Sequence, residues 1–385
     1  MNGTLLKEHP VHVVGIGMHK YQFPTETPYP VLGLTAVREA LADSGLKFSD
    51  LDGAVVGTAA IGMAAGRVML KHLGSTGLEV EQVENASASG STAFRIACLQ
   101  VASGEKDLVL AVGVDKFGDG RRAANKDGLV PLSPTASIPL VKFALMVRRC
   151  MQTYGLTAED LARVAVKNHR NASLNPYAQF RKVRTLEQVM NSPKICGDLT
   201  SLQCTPRGEG AAAVIVASPV AIKRYGLDKQ RAIRVLSSVS NSEGLASGDE
   251  NGTPSVIDVV TRSSRMALEQ AGIGPKDLDV VELHDAFSVE ELVYSEAIGV
   301  CEPGEGAHYL NRGASSIGGE CAINASGGLL GMGHPLGPTG LGQIAEITRQ
   351  MRAEATGRQH TQARFAMAHM VGLGTVAVAH VLAKP

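Results

Sequence analysis

Apolar positions in this chain follow two alternating patterns. Short continuous apolar runs, such as Val11-His12-Val13-Val14-Gly15-Ile16-Gly17, Leu108–Gly113 and Gly210–Val216, predict strands buried on both faces. Between them, apolar residues recur every three or four positions, which predicts helices such as Pro139–Tyr154 and Ala158–Asn168. Strands alternating with helices define an α/β protein with largely parallel sheets. One unit occurs twice. Glu39-Ala40-Leu41-Ala42-Asp43-Ser44-Gly45-Leu46, then Asp50-Leu51-Asp52 and an apolar run, matches Met266-Ala267-Leu268-Glu269-Gln270-Ala271-Gly272-Ile273, then Asp277-Leu278-Asp279 and another apolar run. Ala40 and Ala267, and likewise Leu51 and Leu278, stand 227 positions apart. Each copy predicts an amphipathic helix, a glycine that stops it in the left-handed conformation, a polar turn and a buried strand.

The repeat divides the chain into two related α/β halves, residues 1–230 and 231–385. Val11–Gly17 and Ala232–Leu236 open them, and Leu108–Gly113 and Ala363–Gly374 are their later strands. A looser echo links the turn at Asn85-Ala86-Ser87 with that at Asn324-Ala325-Ser326-Gly327-Gly328. Over about 119–206 the pattern becomes polar and proline-containing, which reads as an excursion inserted in the first half. Corresponding loops of two such halves meet at their junction, so a shared site is expected there.

At 385 residues the chain exceeds what one hydrophobic core usually organises. Lys+Arg and Asp+Glu both number 37, and without a long basic run nothing marks a nucleic-acid partner. The polar stretch Met1–Pro10 lacks a signal peptide's apolar segment, and no run is long enough to span a bilayer. A soluble cytoplasmic protein is therefore expected. The six cysteines form no C-x-x-C pair and the histidines show no metal spacing, so neither a metal nor a disulfide framework is expected.

Three positions invite chemistry. Ser87 lies just before a helix predicted from about Ser91 to Val101, where backbone N–H groups and the positive helix end converge. Its hydroxyl either caps those donors or acts as a nucleophile. His334 sits among Gly331, Gly333, Gly337 and Gly340, in a loop that lets backbone approach a ligand closely; it either makes a structural hydrogen bond or transfers protons. His284 follows the strand Asp279–Leu283 at a carboxyl-end tip, where parallel sheets collect ligands. Asp285 either orients its neighbours or caps the next helix.

The Asn85–Gly90 turn, Asn168-His169-Arg170 to Asn175-Pro176-Tyr177, His284-Asp285-Ala286-Phe287-Ser288, Gly333-His334-Pro335-Leu336-Gly337 and the final Gly372-Leu373-Gly374 occur in an order that resembles the thiolase superfamily, and within it the sterol-carrier-protein-type, lipid-transfer thiolases. The resemblance implies a five-layer αβαβα sandwich of two related halves, usually dimeric, that makes or breaks a carbon–carbon bond next to a coenzyme A thioester. It implies catalysis by Ser87, His284 and His334, with backbone N–H groups at Ser87 and Gly372 forming an oxyanion hole. Acyl-CoA and CoA enter as substrates, with no further cofactor. Ser87 stands where the family has its nucleophilic cysteine, and a hydroxyl needs a positioned base, for which His334 is the candidate. Ala286 and Met370 stand where relatives carry an acid–base thiol. Three outcomes follow: an acyltransferase acting on β-ketoacyl-CoA through Ser87; a non-covalent lyase of retro-aldolase or decarboxylating type, of the kind that pairs with a small OB-fold, zinc-ribbon subunit; or an inactive acyl-CoA-binding subunit.

Overall fold

The computed structural model describes residues 5–116, 138–244, 255–361, 363–373 and 375–385. The first part of the predicted excursion, up to residue 137, and Gly374 lie outside the described residues.

The chain opens with α1 (Leu5–Glu8), β1 (Val11–Gln22) and α2 (Tyr29–Ser44). β2 (Gly53–Gly57), α3 (Ala65–Leu70), β3 (Glu79–Val83), α4 (Ser89–Ala102) and β4 (Leu108–Asp115) follow. The excursion supplies α5 (Ile138–Tyr154), α6 (Ala158–Ser173), α7 (Leu186–Met190) and a small hairpin of β5 (Lys194–Cys196) and β6 (Leu199–Thr200). β7 (Glu209–Ala217) and α8 (Pro219–Arg224) complete the first series. The second consists of β8 (Ile233–Ser242), α9 (Val256–Ala271), β9 (Val280–Leu283), α10 (Ser288–Ile298) and α11 (Gly306–Asn311). It ends with β10 (Ala322–Ile323), α12 (Gly328–Met332), α13 (Leu336–Met351), β11 (Phe365–Gly372) and β12 (Val376–Ala383).

Strand order makes the duplication explicit. The first series runs β3-β2-β4-β7-β1 and the second β10-β9-β11-β12-β8. Corresponding neighbours share direction: the first two pairs of each series are parallel and the next two antiparallel. β1 and β8 then pair antiparallel through Val11–Val235, His12–Arg234 and Val13–Ile233, which joins the two series edge to edge.

The repeated unit folds alike in both copies. Gly45 (φ 75°) ends α2 and Gly272 (φ 73°) ends α9, both left-handed. Asp50 Oδ2 then accepts from Lys47 N, and Asp277 Oδ2 from Gly274 N, each at 2.7 Å. Asp52 and Asp279 each accept two backbone N–H groups from a neighbouring strand entrance, Asp107 with Leu108 and Arg364 with Phe365.

The sheets are mixed, which corrects the expectation of largely parallel pairing. β7 starts beside the end of β4, with Gly210 opposite Asp115, because the excursion leaves and returns at one end of the sheet. β12 follows β11 after three residues, a connection that permits only an antiparallel return. Five layers result. α2 and α3 cover the outer face of the first strands, α4 and α13 fill the centre between the two series, and α9 and α10 cover the outer face of the second. Helices α5 and α6 of the excursion join this last core, so a segment inserted in the first series packs on the second.

The central layer is closed by backbone contact. A Cβ on Gly90 would lie 2.3 Å from Gly337 O, and one on Gly113 would lie 2.4 Å from the same oxygen and 2.5 Å from Pro338 Cα. Backbone atoms cannot retreat as a flexible side chain can. Gly113→Ala should therefore cost about 1–3 kcal/mol, read as a lower urea midpoint at unchanged m-value.

The core also holds charge. Glu282, on β9, is buried beside Glu346, and burial together with that carboxylate pushes its pKa up to about 8. Glu346 itself accepts from Arg358 Nε and Nη2. An acid whose folded pKa exceeds its unfolded value retains its proton better when folded. Its contribution to stability therefore falls as pH rises from about 4.5 to about 8, by up to about 1.4 kcal/mol per pH unit. Glu282→Gln, uncharged throughout, should flatten the pH dependence of the unfolding free energy across that window; an unchanged slope would show that Glu282 ionises freely in the fold.

Candidate functional site

Ser87, His284, His334 and Gly372, far apart in the chain, line one pocket of about 210 Å³. Apolar side chains, among them Phe143, Val256, Phe287, Leu336 and Val371, complete its wall. The rings of Phe143 and Phe287 stack with centroids 4.6 Å apart.

Ser87 sits in a single 3-10 turn, Ala86–Ala88, between β3 and α4. Ala86 there adopts φ 49°, a conformation that costs a non-glycine residue roughly 1 kcal/mol or more. The N-cap residues of this turn and of α4 make no side-chain cap; Ser89 Oγ braces the turn, accepting from Asn85 N at 2.9 Å and donating to Ala86 O at 2.7 Å. Ser87 Oγ instead lies 3.0 Å from His334 Nε2. The side-chain contact of this hydroxyl is thus with the histidine and not with the donors of the helix start.

His334 precedes α13 by one residue, Pro335. Its Nδ1 lies 3.0 Å from Thr339 Oγ1, whose hydroxyl hydrogen goes to Pro335 O at 2.6 Å. The threonine can then offer only a lone pair to Nδ1. In the neutral ring the hydrogen of His334 then sits on Nδ1, which leaves the Nε2 lone pair for the Ser87 hydroxyl.

His284 leaves the end of β9, and its ring stands edge-on to that of His334, centroids 5.4 Å apart. Its Nδ1 meets Glu290 Oε1 at 2.9 Å. Gly372 ends β11 against the Ser87 turn, where a Cβ would lie 2.4 Å from Asn85 O.

Asp285 points away from α10. Its Oδ1 accepts from Leu329 N at 2.6 Å and its Oδ2 from Asn168 Nδ2 at 2.8 Å. It thus anchors the loop before His334, not the helix that follows it in sequence. Burial, then the nearby Glu291, raises its pKa well above the usual carboxylate range. Glu291 accepts from Asn168 and Asn324 and pairs with Lys167 at 3.0 Å.

A third histidine close behind, His369 on β11, is held neutral: burial and then the adjacent His284 lower its pKa to about 3, and its Nε2 meets Ser263 Oγ at 2.7 Å. Among the described residues no cysteine lines the pocket. Ala286 does line it, whereas Met370 packs with Ala88 and Val378. Cys98 and Cys321 are buried, their thiol pKa values raised chiefly by burial. Cys204 bridges the backbone of Phe287, and its pKa is pushed up to about 12 by burial. Among the described residues no group of three or more His, Cys, Asp or Glu side chains is placed to hold a metal ion, and no helix is long and apolar enough to cross a membrane.

Glu290 and Thr339 meet Nδ1 of His284 and His334, and Asn168 links Asp285 to Glu291 behind them; the sequence by itself assigns none of these contacts. Glu290 is an ordinary acidic residue of a first helical turn, and Thr339 lies within a glycine-rich run. Only the spacings His284 to Glu290 and His334 to Thr339, one helical turn past each histidine's loop, carried a signal.

Residues 16–201 match the model of the thiolase N-terminal domain and residues 249–384 that of the thiolase C-terminal domain-like family. Sterol carrier protein 2 of Gallus gallus is 37% identical, covering 96% of this chain and 70% of that protein. Benzoylsuccinyl-CoA thiolase subunit BbsB of Thauera aromatica is 36% identical over 95% of this chain and 96% of its own. Acetyl-CoA acetyltransferase of Methanothermobacter thermautotrophicus is 35% identical over 97% and 99%. In the solved structure Ltp2-ChsH2(DUF35) aldolase, a chain superposes with TM-score 0.84 at 24% identity, covering 98% of each; that likeness concerns the fold. With both domain models matched and relatives similar along nearly the whole chain, the protein belongs to the thiolase family.

Proposed function

We propose that this protein is an acyltransferase that makes or cleaves the carbon–carbon bond of a β-ketoacyl-CoA, with Ser87 as an oxygen nucleophile and His334 as its base. One observation carries the reading: Ser87 Oγ lies 3.0 Å from a His334 Nε2 whose lone pair is directed at it by Thr339. In the cleavage direction Ser87 Oγ adds to the β-carbonyl carbon while its proton passes to His334. The bond between the α- and β-carbons then breaks, leaving a thioester enolate and an acyl group on Ser87, which the thiol of free CoA removes. Backbone N–H groups at Ser87 and Gly372 serve the oxyanion at the attacked carbon, and His284 lies beside them in the same pocket.

The relatives named acetyl-CoA acetyltransferase and benzoylsuccinyl-CoA thiolase subunit support this class of chemistry. The second name also supports a small partner subunit. A homodimer is part of the same proposal, with β3 as an outermost strand that, among the described residues, pairs with β2 alone. Six free thiols fit a cytoplasmic setting.

A second reading rests on the pocket's lack of cysteine among the described residues: a non-covalent lyase that binds the enolate and needs no acyl-enzyme. Product analysis with β-keto- and β-hydroxyacyl-CoAs, with and without free CoA, separates the two. On the acyltransferase reading Ser87→Ala loses roughly a thousandfold or more in kcat/KM, and intact-mass spectra of the wild type show an acyl group on Ser87. Undiminished turnover by Ser87→Ala without free CoA would transfer the assignment to the lyase.

Thr339→Val removes the acceptor from His334 Nδ1 at nearly constant volume. It should lower kcat roughly tenfold, part of the 10²–10⁴ that general-base catalysis contributes, with KM nearly unchanged. Wild-type kcat in this variant would show that Thr339 does not set the orientation of His334.

A further inference from the structure

The two imidazoles of the pocket are built alike except for the charge on Nδ1. His334 faces a neutral hydroxyl and His284 a carboxylate oxygen, Glu290 Oε1 at 2.9 Å. Glu290 is completely buried. Its second oxygen accepts Phe287 N–H at 2.9 Å, which fixes the carboxylate at two points in the first turn of α10. Among the described residues His284 is its one ion-pair partner, since the neighbouring Lys167 pairs with Glu291. Capping the helix uses one oxygen of Glu290 and does not account for the other.

With Nδ1–H held by Glu290, neutral His284 presents a lone pair at Nε2. When that nitrogen takes a proton, the cation forms beside a fixed anion, which avoids the high cost of an isolated buried charge. Among the described residues the wall around it has no thiol to move a proton, the family's two positions being Ala286 and Met370.

We infer that His284, positioned and charge-compensated by Glu290, carries the proton to and from the carbon α to the CoA thioester. The inference rests on the acyl-CoA reading above and adds the proton carrier that the reading lacks. In the cleavage direction the breaking carbon–carbon bond leaves its electron pair in the enolate. The Nε2–H bond of the His284 cation then breaks, its proton forms the new α-carbon–hydrogen bond, and His284 becomes neutral. It regains a proton from the thiol of free CoA as the sulfur takes the acyl group, while His334 returns its proton to Ser87 Oγ. In the condensing direction the α-carbon–hydrogen bond breaks, its proton goes to Nε2 and its electron pair enters the enolate. His284 is thus a catalytic residue and Glu290 a positioning residue.

Exchange of α-hydrogens in D2O isolates this step from acyl transfer. With acetyl-, butyryl- and 3-phenylpropionyl-CoA as probes, the wild type should incorporate deuterium at the α-carbon. Glu290→Gln keeps an acceptor for Phe287 N–H, so it should retain its melting curve and bind the thioesters within about threefold of wild type while exchange falls roughly a hundredfold. Glu290→Asp, which preserves the charge, should retain more exchange than Glu290→Gln. Wild-type exchange in Glu290→Gln, or the reverse order of the two variants, overturns the proposal. So does a wild type that binds the thioesters yet exchanges nothing, a result that leaves the acyl-CoA reading standing. Failure of all three thioesters to bind overturns that reading itself, and this inference with it.

Discussion

The whole site depends on two helix starts held in backbone contact. Ser87 lies two residues before α4 and His334 two residues before α13, and these helices occupy corresponding places in the two strand series. Their first turns touch where Gly90 meets Gly337 O and Gly340 meets the backbone N of Ser91. Asp115, buried at the end of β4, locks the contact: Oδ2 accepts from Gly337 N at 2.6 Å, while Oδ1 holds Thr58 Oγ1 and Ala60 N. A hydrogen bond between side chains 247 residues apart thus has its length set by backbone atoms that have no slack. The glycines that permit this contact serve the chemistry without touching it.

Behind the histidines lies a second support, made of buried acids. Asp285 and Glu291 share Asn168, and Asn324 Nδ2 donates to Glu291 while its Oδ1 accepts from Leu283 N. Lys167, also donating to Ile323 O, neutralises one of these carboxylates. The network ties α6 of the excursion to the ends of β9 and β10. The inserted segment is thereby bonded to the second series, although it interrupts the first. The network also holds the His284 loop and the His334 loop to one anchor, Asp285.

Much of the fold was legible because it is written twice. The 227-residue repeat placed Gly45 and Gly272, Asp50 and Asp277, and β2 and β9 correctly, since each rests on local chemistry: a left-handed stop, a side-chain turn and a buried apolar run. Strand direction was not legible. The run Gly210–Val216 announces a central strand but not which way it points; that follows from where the excursion re-enters, a tertiary fact. Ser87, His284 and His334 were identifiable as a set only through the order of their motifs, because no local pattern relates residues so far apart. Their partners escaped notice for the opposite reason. Glu290 and Thr339 sit where helices ordinarily place acidic and hydroxyl residues, and their second contacts appear only once the loops before them have folded back.

Replacing sulfur by oxygen changes what the pocket must supply. A thiolate stabilised by a helix end needs little help, whereas a hydroxyl has to lose its proton during the attack, so the base must already be in place. On the acyl-transfer proposal Thr339 meets that demand, since its Oγ1 donates to Pro335 O and offers His334 Nδ1 a lone pair. The same economy appears at His284, where a carboxylate replaces the threonine as the Nδ1 partner. Two imidazoles, 5.4 Å apart, line the pocket and are both tethered through Nδ1, one to a carboxylate and one to a hydroxyl. That difference can divide the labour of a thiol-free site: the hydroxyl-backed ring suits a base that returns its proton at once, and the carboxylate-backed ring one that holds a proton while a carbon–carbon bond is broken.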